Sequence, residues 1–240
     1  MALCSDAAMV LFYDIAGDTS NHDHWHSHEH LHERLSVPGF LRATRWIATE
    51  GGPRYMVTYE VSGTDVATSQ GYLDRLNDPT PWTSSIMPRF RGMMRGFCTI
   101  PASAGYGFGG FARACRFQPE PGQEEAVAAW LANEVLPKIA YLPGVASIQF
   151  LRPTALPPMT REQALRGADT PLPWLLIATG YDAELLDLAV GAAFDPTLQA
   201  GIGLSGEVVA AQYVLNHTAT ADEVARTPEP PVPGRVVPLD

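Results

Sequence analysis

Trp25-His-Ser-His-Glu29-His-Leu-His-Glu-Arg-Leu-Ser-Val-Pro38-Gly39 and Trp130-Leu-Ala-Asn-Glu134-Val-Leu-Pro-Lys-Ile-Ala-Tyr-Leu-Pro143-Gly144 carry one pattern at two places, 105 positions apart. Trp, Glu, Pro and Gly keep their mutual spacing in both stretches. An offset shared by four residues of such unlike chemistry points to an internal repeat. The alternative is two unrelated helices that each end in a Pro-Gly turn. Between the anchors the copies differ. His26 corresponds to Leu131, His30 to Val135, Glu33 to Lys138 and Arg34 to Ile139. The first copy is therefore expected to carry the chemistry, and the second to be mainly structural.

Working outward, residues 9–15 are a short apolar run with aromatics, which predicts a buried strand. Ser20-x-x-Asp23 fits a capping box and predicts a helix to about Leu35, stopped by Pro38-Gly39. Residues 40–49 and 54–61 predict strands around the Gly51-Gly52-Pro53 turn. Residues 65–76 predict a second helix, 84–94 a short Met-rich one, and 96–100 a closing strand. This is the β-α-β-β-α-β order of a ferredoxin-like unit.

After a Gly-rich joint over 105–110 the order repeats. Strands are predicted at 111–117, 145–151, 174–180 and 207–215, and helices at 122–141 and 183–193. A proline-bearing excursion occupies 152–172. The expected organisation is a ferredoxin-like unit at 1–104 carrying the site, a degenerate unit at 105–226 and a Pro-rich tail at 227–240. Each unit has helices on one side only, so its other sheet face needs a partner. The fold class expected is α+β, with two tandem units whose antiparallel sheets pack into an α/β barrel around an enclosed space.

With 240 residues, 46% of them hydrophobic and 18% charged, the chain has the composition of an ordinary soluble globular protein. A net charge of −10 argues against nucleic acid or anionic membranes as partners. No apolar run reaches the ~18 residues of a membrane helix, and no secretory signal is visible. Cys4, Cys98 and Cys115 are odd in number and form no CxxC pair, which reads as reduced thiols used as core fillers in a cytoplasmic protein. Gly105 to Gly110 lacks the strand and helix context of a phosphate loop.

Two segments resemble a known family. They are Trp25-x-x-x-Glu29-His30-x-x-Glu33-Arg34-x-x-x-Pro38-Gly39-Phe40-Leu41-Arg42-x-x-Arg45-Trp46 and Tyr72-Leu73-x-x-Leu76-Asn77-x-Pro79-Thr80-Pro81-Trp82-Thr83. They resemble the dimeric α/β barrel superfamily, and within it the EthD-like group of small bacterial proteins. The resemblance covers most of residues 9–100 and is weaker over 110–217. It implies two ferredoxin-like units enclosing a small-molecule pocket, and leaves the reaction open among cofactor-free monooxygenases, lactone isomerases, polyketide cyclases and dehydratases, and haem-binding enzymes. Many relatives build the barrel from two chains, whereas this chain would carry both units and be a monomer or a homodimer.

Six of the seven histidines fall between His22 and His32. At helical spacing His22, His26 and His30 share a face with Glu29 and Glu33, and three readings compete. In the first, His30 is a general acid/base with His26 beside it and Glu29 or Asp14 as its orienter. Arg34 or Arg45 then holds a substrate carboxylate or enolate, and Tyr13 and Tyr59 donate to a carbonyl or stack on an aromatic ring. Arg42 and Arg45 lie three apart on a strand, so at most one faces the pocket. Trp82 is either a pocket lip or a buried loop tryptophan.

In the second reading, His22, His26 and His30 bind a divalent metal. In the third, His22, His24, His28 and His32 are a solvated face. The function expected is a cofactor-free lyase, dehydratase, isomerase or decarboxylase working by proton transfer on an aromatic or polyketide-like substrate. The alternatives are a cofactor-independent monooxygenase, a non-catalytic ligand-binding protein, and a metal- or haem-dependent enzyme.

Overall fold

A computed structural model describes residues 3–155, 157, 159–194 and 202–227. In the first half, β1 (Ala7–Ile15) leads into helix α1, which spans residues 20–35. Then come β2 (Phe40–Glu50), β3 (Tyr55–Val61), α2 (Gln70–Asn77), α3 (Pro81–Ile86) and β4 (Phe90–Gly105). The second half contains β5 (Phe111–Pro119), α4 over residues 124–139, β6 (Val145–Pro153), α5 (Arg161–Arg166), β7 (Thr170–Pro171), β8 (Trp174–Gly180), α6 (Ala183–Ala193), β9 (Leu204–Thr220) and α7 (Ala221–Arg226).

Strand order is β4-β1-β3-β2 in the first half and β9-β5-β8-β6 in the second, the same arrangement twice. β2 pairs with β9 and β4 with β6, all antiparallel, so eight strands close into one barrel. The two sheets thus join edge to edge, where the sequence suggested faces packed together. β7 is an accessory strand, parallel to β4 at Met94 and Arg95.

Strand alternation sends successive side chains to opposite faces. From β1, Ala8, Val10 and Phe12 point into the barrel, where they pack with Trp46, Met56, Leu175 and Tyr213. Met9 and Tyr13 point outward into the core under the helices of the first half. An equivalent helix-side core, centred on Leu131, Ile148, Leu176 and Val190, serves the second half.

Both long helices change pitch at the same place. Within α1 the segment His26–His30 is a π-helical turn, and within α4 so is Leu131–Val135. The offset of 105 found in the sequence therefore recurs in the backbone. Both helices also stop the same way. Gly39 has φ +98° and Gly144 φ +87°, a region that L side chains rarely adopt. A Cβ at Gly39 would lie 2.5 Å from Val66 Cγ2, and one at Gly144 would collide with Leu185 Cβ.

Four expectations are corrected. The helix expected at 65–76 is split, because Ser69 is extended (ψ 144°) and its hydroxyl caps the Tyr72 amide. The Met-rich helix at 84–94 ends early in a 3-10 turn, Met87–Arg89, because pairing with β1 draws residues from Phe90 onward into β4. The excursion over 152–172 holds a capped helix and a strand. Cys4 is exposed, and only Cys98 and Cys115 are core residues. The Pro-rich segment 228–240 lies outside the described residues. Among those residues no helix is long and apolar enough to cross a membrane.

Candidate active site

A cavity of ≈ 20 Å³ lies between the outer face of the first-half sheet and its helices, room for about one water. The sequence suggested a hollow between the two sheets. That space is occupied by the aromatic and aliphatic cluster around Phe12, Trp46 and Tyr213, and the functional groups gather on the other face. Tyr13 from β1, His26, His30 and Arg34 from α1, and Tyr59 from β3 all line the cavity, so five of the expected residues come together. Tyr72, Met87, Met93, Arg95, Glu162 and Arg166 line it too.

The histidines at positions 22, 26 and 30 form a buried row, with ring centroids 5.6 Å apart at each step. His30 lies over the indole of Trp25 at 4.4 Å. The Nδ1 atoms of His26 and His30 have no hydrogen-bond partner among the described residues. Burial holds both imidazoles well below the usual histidine range, helped by Arg45 for His26 and by Arg34 for His30. Both rings are thus neutral at pH 7. His24 and His28 are exposed, as a solvated face requires, but His22 is fully buried. Among the described residues no group of three or more His, Cys, Asp or Glu side chains is placed to hold a metal ion.

His22 is pinned on both sides. Its Nδ1 is 3.0 Å from Asp23 Oδ1 and its Nε2 is 3.2 Å from the Tyr13 hydroxyl. Asp23 also accepts from the Tyr55 hydroxyl at 2.8 Å. The bonds from His22 and Tyr55 hold the Asp23 carboxyl below its ordinary range, against the upward push of burial.

Other expected residues serve elsewhere. Glu29 does not orient His30. Its Oε1 accepts from Trp25 Nε1, Thr80 Oγ1 and Thr83 Oγ1, which ties α1 to the start of α3. Asp14 follows Tyr13 on the strand, so it faces away and is exposed, accepting from the Arg54 amide at 2.8 Å. Arg45 is spent on structure, donating to Asn216 Oδ1, the Asp23 carbonyl and Ser27 Oγ. Arg42 points to the other side, onto Glu60 and the Phe108 ring. Trp82 sits outside the cavity, against His24, with its indole N–H on Asn21 Oδ1.

What the sequence did not suggest is a buried ionic network supplied largely by the second half. Arg34 Nη2 donates to both oxygens of Glu162 at 2.8 and 2.7 Å. Arg166 lies 3.8 Å from Glu162 and grips Asp169 with Nε and Nη2. Asp169 also pairs with Arg95 Nε at 3.0 Å. The excursion around α5 thus reaches across to the first half and covers its pocket. The second half thus supplies Glu162 and Arg166 to the cavity wall, where the sequence led to a mainly structural role. The available signal was the capping box Thr160-x-x-Gln163 followed by charges, which reads as a solvated helix when taken by itself.

No protein-family model matches the chain, and no curated protein matches it either. Solved structures do. An anthrone oxidase-like protein is 12% identical with a TM-score of 0.60, covering 90% of this chain and 93% of that one. A proposed monooxygenase from Fusobacterium nucleatum is 10% identical with a TM-score of 0.59, covering 91% and 96%. Another, from Lactobacillus acidophilus, is 11% identical with a TM-score of 0.56, covering 90% and 96%. At such identities the likeness establishes the fold, a ferredoxin-like α+β barrel, and nothing finer.

Proposed function

We propose that the chain is a small-molecule enzyme that moves a proton with the buried imidazole of His30, acting without an organic cofactor on an aromatic or polyketide-like substrate. The observation that carries this reading is the free Nδ1 of a neutral, buried His30 in the same cavity as Arg34 and Tyr59. A neutral imidazole in that setting can take a proton from an acidic C–H or O–H. The electron pair left behind moves onto a substrate oxygen. Burial keeps the Tyr59 phenol protonated far above its ordinary range, so it can donate to that oxygen, with Arg34 adding positive potential. Return of the proton to a different atom completes an isomerisation, and loss of a leaving group completes an elimination. The resemblance of residues 9–100 to the dimeric α/β barrel superfamily supports the same substrate class.

The cavity as it stands admits about one water. A substrate therefore enters by displacing side chains, and the flexible thioethers of Met87 and Met93 in its wall are suited to yield.

A second reading is a cofactor-independent monooxygenase, favoured by the anthrone oxidase-like and monooxygenase neighbours. It shares the first step, since a substrate carbanion or enolate is what would react with oxygen. Incubating anthrone, phenols and 1,3-diketones, each with and without a carboxylate substituent, in D₂O without oxygen tests that shared step by deuterium uptake. His30→Gln is expected to slow uptake by about 10²–10⁴-fold. Unchanged uptake in this variant would sink both readings. Oxygen consumption on admitting air separates them.

A further inference from the structure

We propose that the pocket takes a ligand bearing a single negative charge, its carboxylate or other oxyanion seated between Arg34 and Arg95 beside Tyr72. This deepens the reading above by naming the substrate class, and rests on it only for what happens to the ligand after binding.

Five charged side chains form an open chain of alternating sign, Arg34–Glu162–Arg166–Asp169–Arg95. The successive contacts are 2.7, 3.8, 2.8 and 3.0 Å. All five side chains are 3 to 5% exposed. Three cations face two anions, so one positive charge has no counterpart within this network of described residues. Among the described residues no carboxylate besides Glu162 lines the cavity. Glu33 faces Arg75 at 3.4 Å, and burial pushes its carboxyl up to about 7, so it is partly protonated at neutral pH. Glu29 lies outside the cavity wall; its Oε1 accepts from Trp25, Thr80 and Thr83, and its Oε2 has no partner among the described residues. A charge held away from water without a counter-ion is costly to the fold.

The free valences lie at the two ends of the chain. Arg34 Nη1 and Arg95 Nη2 are buried without a hydrogen-bond partner among the described residues, and both side chains line the cavity. The ends converge on one ring, since the Arg34 guanidinium carbon is 5.5 Å from the Tyr72 centroid and Arg95 Nη1 is 3.4 Å from its hydroxyl. An oxyanion between them would turn the open chain into a closed ring of alternating charge, with guanidinium donors on both sides. A neutral ligand would leave the charge unmatched, and a dianion would overshoot it. Met9, Leu11, Met87, Phe90 and Met93 supply the apolar part of the wall, which suits an apolar or aromatic body.

The test is calorimetric binding to the full chain near neutral pH. The probes are benzoate, salicylate and 1-naphthoate against the matching neutral amides, with phthalate as a dianion and chloride and nitrate as inorganic anions. At least one monocarboxylate is expected to bind about tenfold or more tighter than its amide and than phthalate. Arg95→Met should abolish that preference and Arg95→Lys restore part of it. Arg95→Met should still fold, since Arg166 keeps hold of Asp169 and the surplus charge disappears; its near-ultraviolet dichroism checks this. Amides binding as well as acids, binding of chloride or nitrate only, or no acid bound at all would each overturn the proposal. His30→Gln separates this from the proton-transfer reading. Acids that still bind this variant, while deuterium uptake proceeds as in the parent protein, leave the anion site standing and remove the base.

Discussion

The hydroxyl of Tyr13 and the Nε2 of His22 lie 3.2 Å apart, and the far side of that imidazole is held by Asp23. Tyr13 lines the cavity, His22 is fully buried and the Asp23 side chain is 30% exposed. Three groups in hydrogen-bond contact therefore connect the cavity wall to solvent, a route by which a proton taken inside can be exchanged. The arrangement fixes one tautomer. A carboxylate at Nδ1 requires the proton there, which leaves Nε2 to accept from the phenol. Long-range proton–nitrogen NMR at neutral pH should show His22 neutral and protonated on Nδ1. A ring protonated on Nε2 would refute this, and Asp23→Ala should release the preference.

Stability should fall as the solution is made acid. The folded-state values of His26 and His30 lie well below 6.5 because burial disfavours the charged ring. Below about pH 6.5 the unfolded chain binds protons that the native one refuses, so unfolding becomes easier by up to about 1.4 kcal/mol per pH unit for each such histidine. Glu33, raised to about 7, acts in the opposite sense between about 4.5 and 7, and offsets one histidine's worth. Urea midpoints between pH 7.5 and 5 should decline, and the double variant His26→Gln, His30→Gln should flatten the slope, leaving the share of His22 and His217, whose rings burial also shifts down. An unchanged slope would show these rings to be titrating freely.

Removing the carboxylate that ties the halves together should be expensive. Glu162→Gln leaves Arg34 and Arg166 facing each other in a dry site, and the expected loss is about 3–5 kcal/mol by chemical denaturation. A loss under about 1 kcal/mol, the usual worth of a surface pair, would mean that the site is wet. Glu125→Gln, which breaks the exposed pair with Arg152, serves as the control and should cost little.

Gly39→Ala should destabilise by roughly 1–3 kcal/mol from backbone strain, with the Val66 clash added. Val66→Ala in the same chain should recover only the clash. If the pair together is as stable as Val66→Ala by itself, the positive φ is not a constraint.

Thiol labelling of the native protein should modify Cys4 and spare Cys98 and Cys115, whose thiols burial pushes up to about 12. Rapid labelling of all three before denaturation would contradict the packing described.

Most strands were legible because each contains an apolar run between Gly or Pro punctuation, although β4 and β9 extend well past the stretches expected at 96–100 and 207–215. Residues 174–180 and 183–193 fall where the periodicity puts them. Part of the site was legible too, since spacings of four on one helix and alternation on β1 and β3 bring Tyr13, His26, His30, Arg34 and Tyr59 to one place. The π turn was not legible. It lies between Trp25 and Leu31, where Glu29 turns to the threonines of α3 and leaves His30 without a carboxylate. Arg95 was hidden beside a segment that reads as helical until it pairs with β1. Glu162 was out of reach for another reason. It stands 128 residues from Arg34, and no local pattern reports a partner so far along the chain.

A ring of strands sewn shut along two seams, β2 to β9 and β4 to β6, cannot shed one half without ripping open the other. Melting should accordingly be a single event by calorimetry despite the repeated architecture, and a gene cut near residue 104 should yield two pieces that are soluble only when made together.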